Sequence, residues 1–165
     1  MKLTKLFLTL TAFTALIVVS NTAGAAGPKN GTFTVTTNVS NNCTIDTSAA
    51  NIVFGAYDPV TGAAVTGSGT VKIACTKGAT GLSLALSGGA NFATPDNQMA
   101  SGSERLKYDL YSDSTLKTPW NNTSVTVPAP TSNASQSFTI YGQIKASQDV
   151  AVGTYTDTVT ATINY

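Results

Sequence analysis

The side chains that do most enzyme and metal chemistry are sparse in this chain of 165 residues. It has no histidine, which excludes Ser-His-Asp and Cys-His catalysis, imidazole metal ligation and an imidazole pH switch. Cys43 and Cys75 are its only thiols, and with no His and no second Cys pair, neither a catalytic Cys nor a zinc site has partners. Carboxylates remain. Asp109 and Asp113 are four apart and Glu104 lies five before Asp109, which invites comparison with the paired carboxylates of a glycosidase. Gly67-Ser68-Gly69 reads as a turn, with no phosphate-binding loop or nucleophile elbow around it. Tyr111, Trp120 and Tyr141 are candidates for an aromatic sugar-binding platform. Nine Lys plus Arg against eight Asp plus Glu give a net charge of +1, without the clustered basic footprint that nucleic acid requires. The expectation is no catalytic residue, no cofactor, no metal and no bound small molecule.

The elements that hold these residues start after a leader. Lys2 and Lys5 form a basic n-region, Leu6 to Val19 is apolar, and Ala23-Gly24-Ala25 fits a small-residue cleavage site. The apolar run is shorter than the roughly 20 residues that span a bilayer, so residues 1–25 are expected to be a cleaved signal peptide. The mature chain from Ala26 then has 140 residues, seven bases (nine less Lys2 and Lys5) and eight acids, for a net charge of −1. That length suits one domain with a real core.

In the mature chain 23 Thr, 11 Val and 6 Ile outnumber the 19 Leu, Glu, Lys, Gln, Met and Arg taken together. β-Branched residues fit a pleated surface, and the second group fills helices. The chain reads as all-β, and its apolar residues recur with period two. Phe33, Val35 and Val39 share a parity, as do Val71, Ile73 and Cys75, then Leu82, Leu84 and Leu86. Leu106, Tyr108 and Leu110 do the same, as do Phe138, Ile140 and Ile144, and finally Val159, Ala161, Ile163 and Tyr165. Half-buried strands separated by Gly-, Pro- and Asn-rich turns predict an antiparallel β-sandwich. Residues 112–137, with Pro119, Pro128 and Pro130, read as a long loop plus one edge strand. Asp109 falls on the outward parity with Lys107, so the carboxylate series reads as a solvated strand face rather than a catalytic pair.

Cys43 shares a parity with Ile45, and Cys75 with Ile73. In an exported chain the simplest reading is a disulfide joining two strands, closing a loop worth roughly 3–4 kcal/mol in the chain-entropy model. Both ends of the mature chain read as strands, at 31–39 and up to Tyr165. Either they pair within their own domain, or the N-terminal one is donated to another molecule by β-strand addition.

Several segments, taken in order, resemble a known family. They are Cys43-Thr44-Ile45, Phe54-Gly55-Ala56-Tyr57-Asp58-Pro59, Cys75-Thr76-Lys77-Gly78, residues 106–113 (LKYDLYSD), Tyr141-Gly142-Gln143-Ile144 and residues 153–159 (GTYTDTV). The sequence is similar to the spore coat protein U domain, whose secreted members include pilins of the archaic, Csu-type chaperone-usher pathway. The resemblance covers nearly all of the mature chain. It departs at Asn121, which stands where a Gly is expected after Trp120.

The resemblance implies an incomplete immunoglobulin-like sandwich that lacks its last strand and exposes an apolar groove. Residues 26–40 would be the donor segment, with Phe33, Val35, Thr37 and Val39 as donor-strand residues, and 41–165 the pilin domain. Val159, Ala161, Ile163 and Tyr165 would form the C-terminal edge with which a chaperone or donor pairs, and Cys43–Cys75 the disulfide. Implied partners are identical or related pilin subunits, a periplasmic chaperone and an outer-membrane usher. The implied product is a non-enzymatic cell-surface fibre serving adhesion and biofilm formation. A spore-coat or extracellular-matrix structural protein and a small carbohydrate-binding module are the alternatives.

Overall fold

The computed structural model describes Gly24 and residues 26–165. The expected leader, apart from Gly24, lies outside the described residues. The chain divides into two units, one up to Thr37 and one from Asn38 to Tyr165. In the first, residues 26–37 are exposed and belong to no strand, with Phe33 at 88% and Val35 at 83% of full exposure. This corrects the expectation of a half-buried strand over 31–39. The alternation is present in the sequence, but period two specifies a face and not the sheet that covers it.

The second unit is all-β among the described residues. Its strands are β1 (Cys43–Asp46), β2 (Val65–Cys75), β3 (Ser83–Leu86), β4 (Asn97–Ser101), β5 (Glu104–Tyr111), β6 (Ser124–Thr126), β7 (Gln136–Ile144) and β8 (Ala161–Asn164). They form a five-stranded sheet in the order β1-β2-β7-β5-β4 and a three-stranded sheet in the order β6-β3-β8, with every pairing antiparallel. The inward parities predicted from sequence build the core: Val71 and Ile73 of β2, Leu84 and Leu86 of β3, Leu106 and Leu110 of β5, and Ile140 and Ile144 of β7 are all buried. Each such side chain contributes roughly 1.5–3 kcal/mol on leaving water.

Cys43 lies directly opposite Cys75 in the β1–β2 ladder, and the two form a disulfide with Cα atoms 4.1 Å apart. Three strands differ from expectation. β2 runs straight through Gly67-Ser68-Gly69, read from sequence as a turn, because these residues pair with Ile140 to Gly142 of β7. β4 is additional: Asn-Gln-Met-Ala-Ser lacks alternation because it is an edge strand, placed by a two-residue hairpin at Gly102-Ser103 with Gly102 at φ 58°. β8 is shorter than the expected run to the last residue; Val159 precedes it and Tyr165, exposed, follows it.

Candidate functional site

The two sheets end in four edge strands, β1 and β4 in the larger and β6 and β8 in the smaller, and of these β1 and β8 approach each other across the sheets. Which main-chain groups those edges present follows from register. Ser87 N–H donates to Thr160 O at 2.9 Å and Ala90 N–H to Thr158 O at 3.0 Å, continuing the ladder in which Ala85 faces Thr162. Residues of an antiparallel strand alternate in the side to which N–H and C=O point. The even-numbered residues therefore bond β3, and Val159, Ala161 and Ile163 aim their main-chain groups away from it. Their side chains are half-buried against the core. On the opposite edge, Thr76 N–H donates to Asn42 O at 2.9 Å, so by the same alternation Cys43 and Ile45 turn their main-chain groups away from β2.

An apolar groove runs between these edges. One stretch, of about 760 Å³, lies between residues 45–54 and 155–161, over Val71, Leu86, Leu110 and Ile140. A second, of about 740 Å³, shares Ile52, Phe54, Met99 and Tyr155 with it and continues towards Tyr57 and Val152. Glycines seat one wall. Gly67 and Gly142 face each other across β2 and β7, and a Cβ on Gly142 would stand 2.6 Å from the Phe54 ring. Only without side chains there can Phe54 settle onto the sheet, with its ring centroid 6.2 Å from that of Tyr108.

Polar contacts fix the other wall. Tyr108 Oη donates to Asp157 Oδ2 at 2.7 Å, and Asn91 donates its main-chain N–H and its Nδ2 to Asp157 Oδ1, both at 3.1 Å. Burial, reinforced by the Asp157 carboxylate, pushes the Tyr108 phenol far above its ordinary range, so it remains a neutral donor. Thr156 exchanges main-chain hydrogen bonds with Ala100 of β4, at 2.9 and 3.1 Å. The segment leading into β8 is thus pinned at Thr156 and Asp157, and its free edge is held in place.

Two comparisons with known proteins fit this arrangement. The sequence model of the Spore Coat Protein U domain matches residues 29–162. Protein U of Myxococcus xanthus is 33% identical over 177 aligned residues, covering 94% of this chain and 94% of that protein. The chain belongs to the Spore Coat Protein U domain family. A similar fold occurs in a chain of the crystal structure of the CsuC-CsuE chaperone-tip adhesion subunit pre-assembly complex from archaic chaperone-usher Csu pili of Acinetobacter baumannii. The TM-score is 0.55 at 23% identity, covering 77% of this chain and 40% of that one. The chain thus spans less than half the length of that structural neighbour.

The match to the Spore Coat Protein U domain starts at residue 29, so the exposed alternating segment with Phe33, Val35, Thr37 and Val39 is part of the family domain although it joins no sheet. Of the C-terminal residues singled out from sequence, Val159 and Ala161 line the groove, Ile163 packs on the core beside it, and Tyr165 lies beyond the end of β8. The aromatic platform does not exist. Trp120 is 1% and Tyr111 8% exposed, because the loop after β5 folds back, with Pro119 bridging Tyr111 and Trp120 N–H donating to Leu110 O at 2.7 Å.

The carboxylate series is dispersed into local roles. Asp113 caps its own loop, accepting from Thr115 and Thr118 N–H at 2.9 and 2.6 Å. Asp109 is half-buried rather than solvated: it pairs with Lys145 and accepts from Asn121 Nδ2 at 2.8 Å. Asn121, in place of the expected Gly, ties the turn, its Oδ1 accepting from Leu110 N–H and Asn97 Nδ2 at 2.7 and 2.9 Å. Sequence reading missed Tyr108–Asp157 and Phe54–Gly142; the glycines inside otherwise regular β2 and β7 were the available signal.

Proposed function

We propose that this protein is the structural subunit of a surface fibre, polymerised by donor-strand complementation. The observation that carries this reading is the coexistence in one chain of an apolar groove between two unpaired strand edges and an exposed strand-patterned segment with no sheet of its own. Phe33, Val35, Thr37 and Val39 of one copy would enter the groove of the next, their main chain pairing with Val159, Ala161, Ile163 and Tyr165. Burying Phe33, Val35 and Val39 contributes roughly 5–9 kcal/mol as an upper figure, and the added main-chain bonds fix the register.

On this reading residues 1–25 direct export, residues 26–40 are the donor and residues 41–165 accept. A periplasmic chaperone fills the groove before assembly, and an outer-membrane usher exchanges it for the next subunit. The resulting fibre serves adhesion and biofilm formation and has no enzymatic activity. The similar fold found in the CsuC-CsuE chaperone-tip adhesion subunit pre-assembly complex supports the fold this reading requires. The test is to express the mature chain in a periplasm with and without its cognate chaperone and to image producing cells by electron microscopy. Chaperone-dependent recovery and thin fibres that vanish with the chain are expected. A stable soluble monomer made alone, indifferent to deletion of residues 26–40, would contradict the proposal.

The similarity to Protein U over 94% of both chains favours a second reading, a coat or matrix protein assembled without a chaperone. Deposition on a spore by chains that are monodisperse and complete in solution would select it.

A further inference from the structure

The joint between donor and sandwich is held by one side chain. Thr76, the residue after β2, gives its main-chain N–H to Asn42 O at 2.9 Å. Its hydroxyl accepts from Asn42 N–H at 3.1 Å and lies 3.2 Å from Ser40 O and 3.3 Å from Asn42 O as a donor. One hydroxyl hydrogen serves a single acceptor at a time, so the two carbonyls share it. These contacts carry the β1–β2 pairing one residue beyond Cys43–Cys75, to Asn42 and Thr76, and bring Ser40 O to the same hydroxyl, the two-residue spacing at which carbonyls of an extended chain point to one side.

That geometry bears on a competition every such chain faces. Its donor is covalently attached to its own groove, at an effective concentration that a free second copy rarely matches. To lie beside β1 or β8 of its own domain, the donor must reverse direction before Cys43. Residues 40–42 are the natural place for that turn, with Asn41 able to adopt a left-handed conformation, but the Thr76 contacts hold them extended. A turn made earlier, at Asn38-Val39, consumes a donor residue.

We infer that Thr76 is a positioning residue that keeps the joint at Ser40–Asn42 extended and so directs the donor segment to a second copy of the chain rather than to its own groove. This rests on the donor-strand reading proposed above. Thr76→Val keeps the shape and removes the hydroxyl, and Thr76→Ser keeps the hydroxyl.

The experiment takes the full mature chain, separates monomer from multimers by size, and measures which monomers bind a fluorescent synthetic peptide with the sequence of residues 29–41. A self-closed monomer refuses the peptide. Loss of the hydroxyl contacts is expected to raise the ratio of peptide-refusing monomer to multimer about tenfold in Thr76→Val, with Thr76→Ser restoring the wild-type ratio. Thr76→Ala, which also removes the hydroxyl and introduces no added bulk, is expected to raise the ratio likewise and serves if Thr76→Val does not fold. Wild-type peptide binding and multimers, with no change in a folded Thr76→Val or Thr76→Ala, overturn the role of Thr76 alone. A wild-type chain that neither binds peptide nor forms multimers overturns the donor-strand reading and this inference together.

Discussion

At the scale of single residues, the polar side chains act as fasteners, each closing a gap in main-chain pairing. Asn121 bonds Leu110, Asn97 and Asp109 at once. Asn121→Ala leaves the Leu110 N–H and the fully buried Asn97 without that partner and should destabilise the fold by about 1–3 kcal/mol in urea unfolding. Breaking the Cys43–Cys75 bond with Cys43→Ser should cost about 2–5 kcal/mol by the same measurement. Trp120→Ala should act as a core deletion, costing about 3–5 kcal/mol. The disulfide was legible in the sequence because parity and compartment both bear on it. The burial of Trp120 and Tyr111 was not, because both sit where the chain leaves periodic structure and the covering loop carries no pattern that says which way it folds.

Strands and loops are the scale at which sequence patterning is most informative, and where its blind spots are physical. Val71, Leu84, Leu110 and Ile140 sit on the buried faces that alternation predicts, since a strand covered on one side must alternate. β4 escapes because an edge strand covered only in part has little to alternate. The free edge of β8 gives a prediction of its own. Thr162 bonds β3, whereas Ala161 points its N–H into the groove, so proline, which lacks that donor, separates two functions. Thr162→Pro should lower monomer stability by about 1–3 kcal/mol; Ala161→Pro should leave the monomer folded and abolish multimers, read by circular dichroism and by size.

The loop after β5 has a pH dependence of definite sign. The hydroxyl of Thr115, with the N–H groups of Thr118 and Thr115, holds the Asp113 carboxyl well below the usual carboxylate range. A folded pKa below the unfolded one means that this stabilisation is complete above the ordinary Asp range and is lost as pH falls through the depressed value. An NMR titration of Asp113 should show a midpoint below that of an unstructured Asp, and Thr115→Val should move it upward.

At the scale of the whole molecule, the described residues give an all-β domain with an apolar groove between the free edges of β1 and β8, and an apolar strand-patterned segment that joins no sheet. The ordered motifs that mark the Spore Coat Protein U domain family were readable in the sequence. The groove itself was not, since it depends on Phe54 settling over Gly142 and on Asp157 anchoring the approach to β8, contacts between residues far apart in the chain. The central claim is that residues 33–39 complete the sheet edges of another copy. Amide hydrogen exchange of the assembled fibre tests it most directly. Protection of residues 33–39 together with Val159, Ala161 and Ile163 in fibres, absent from both sets in the dissociated monomer, is the result predicted. Residues 33–39 exchanging as freely in the fibre as in the monomer would contradict it.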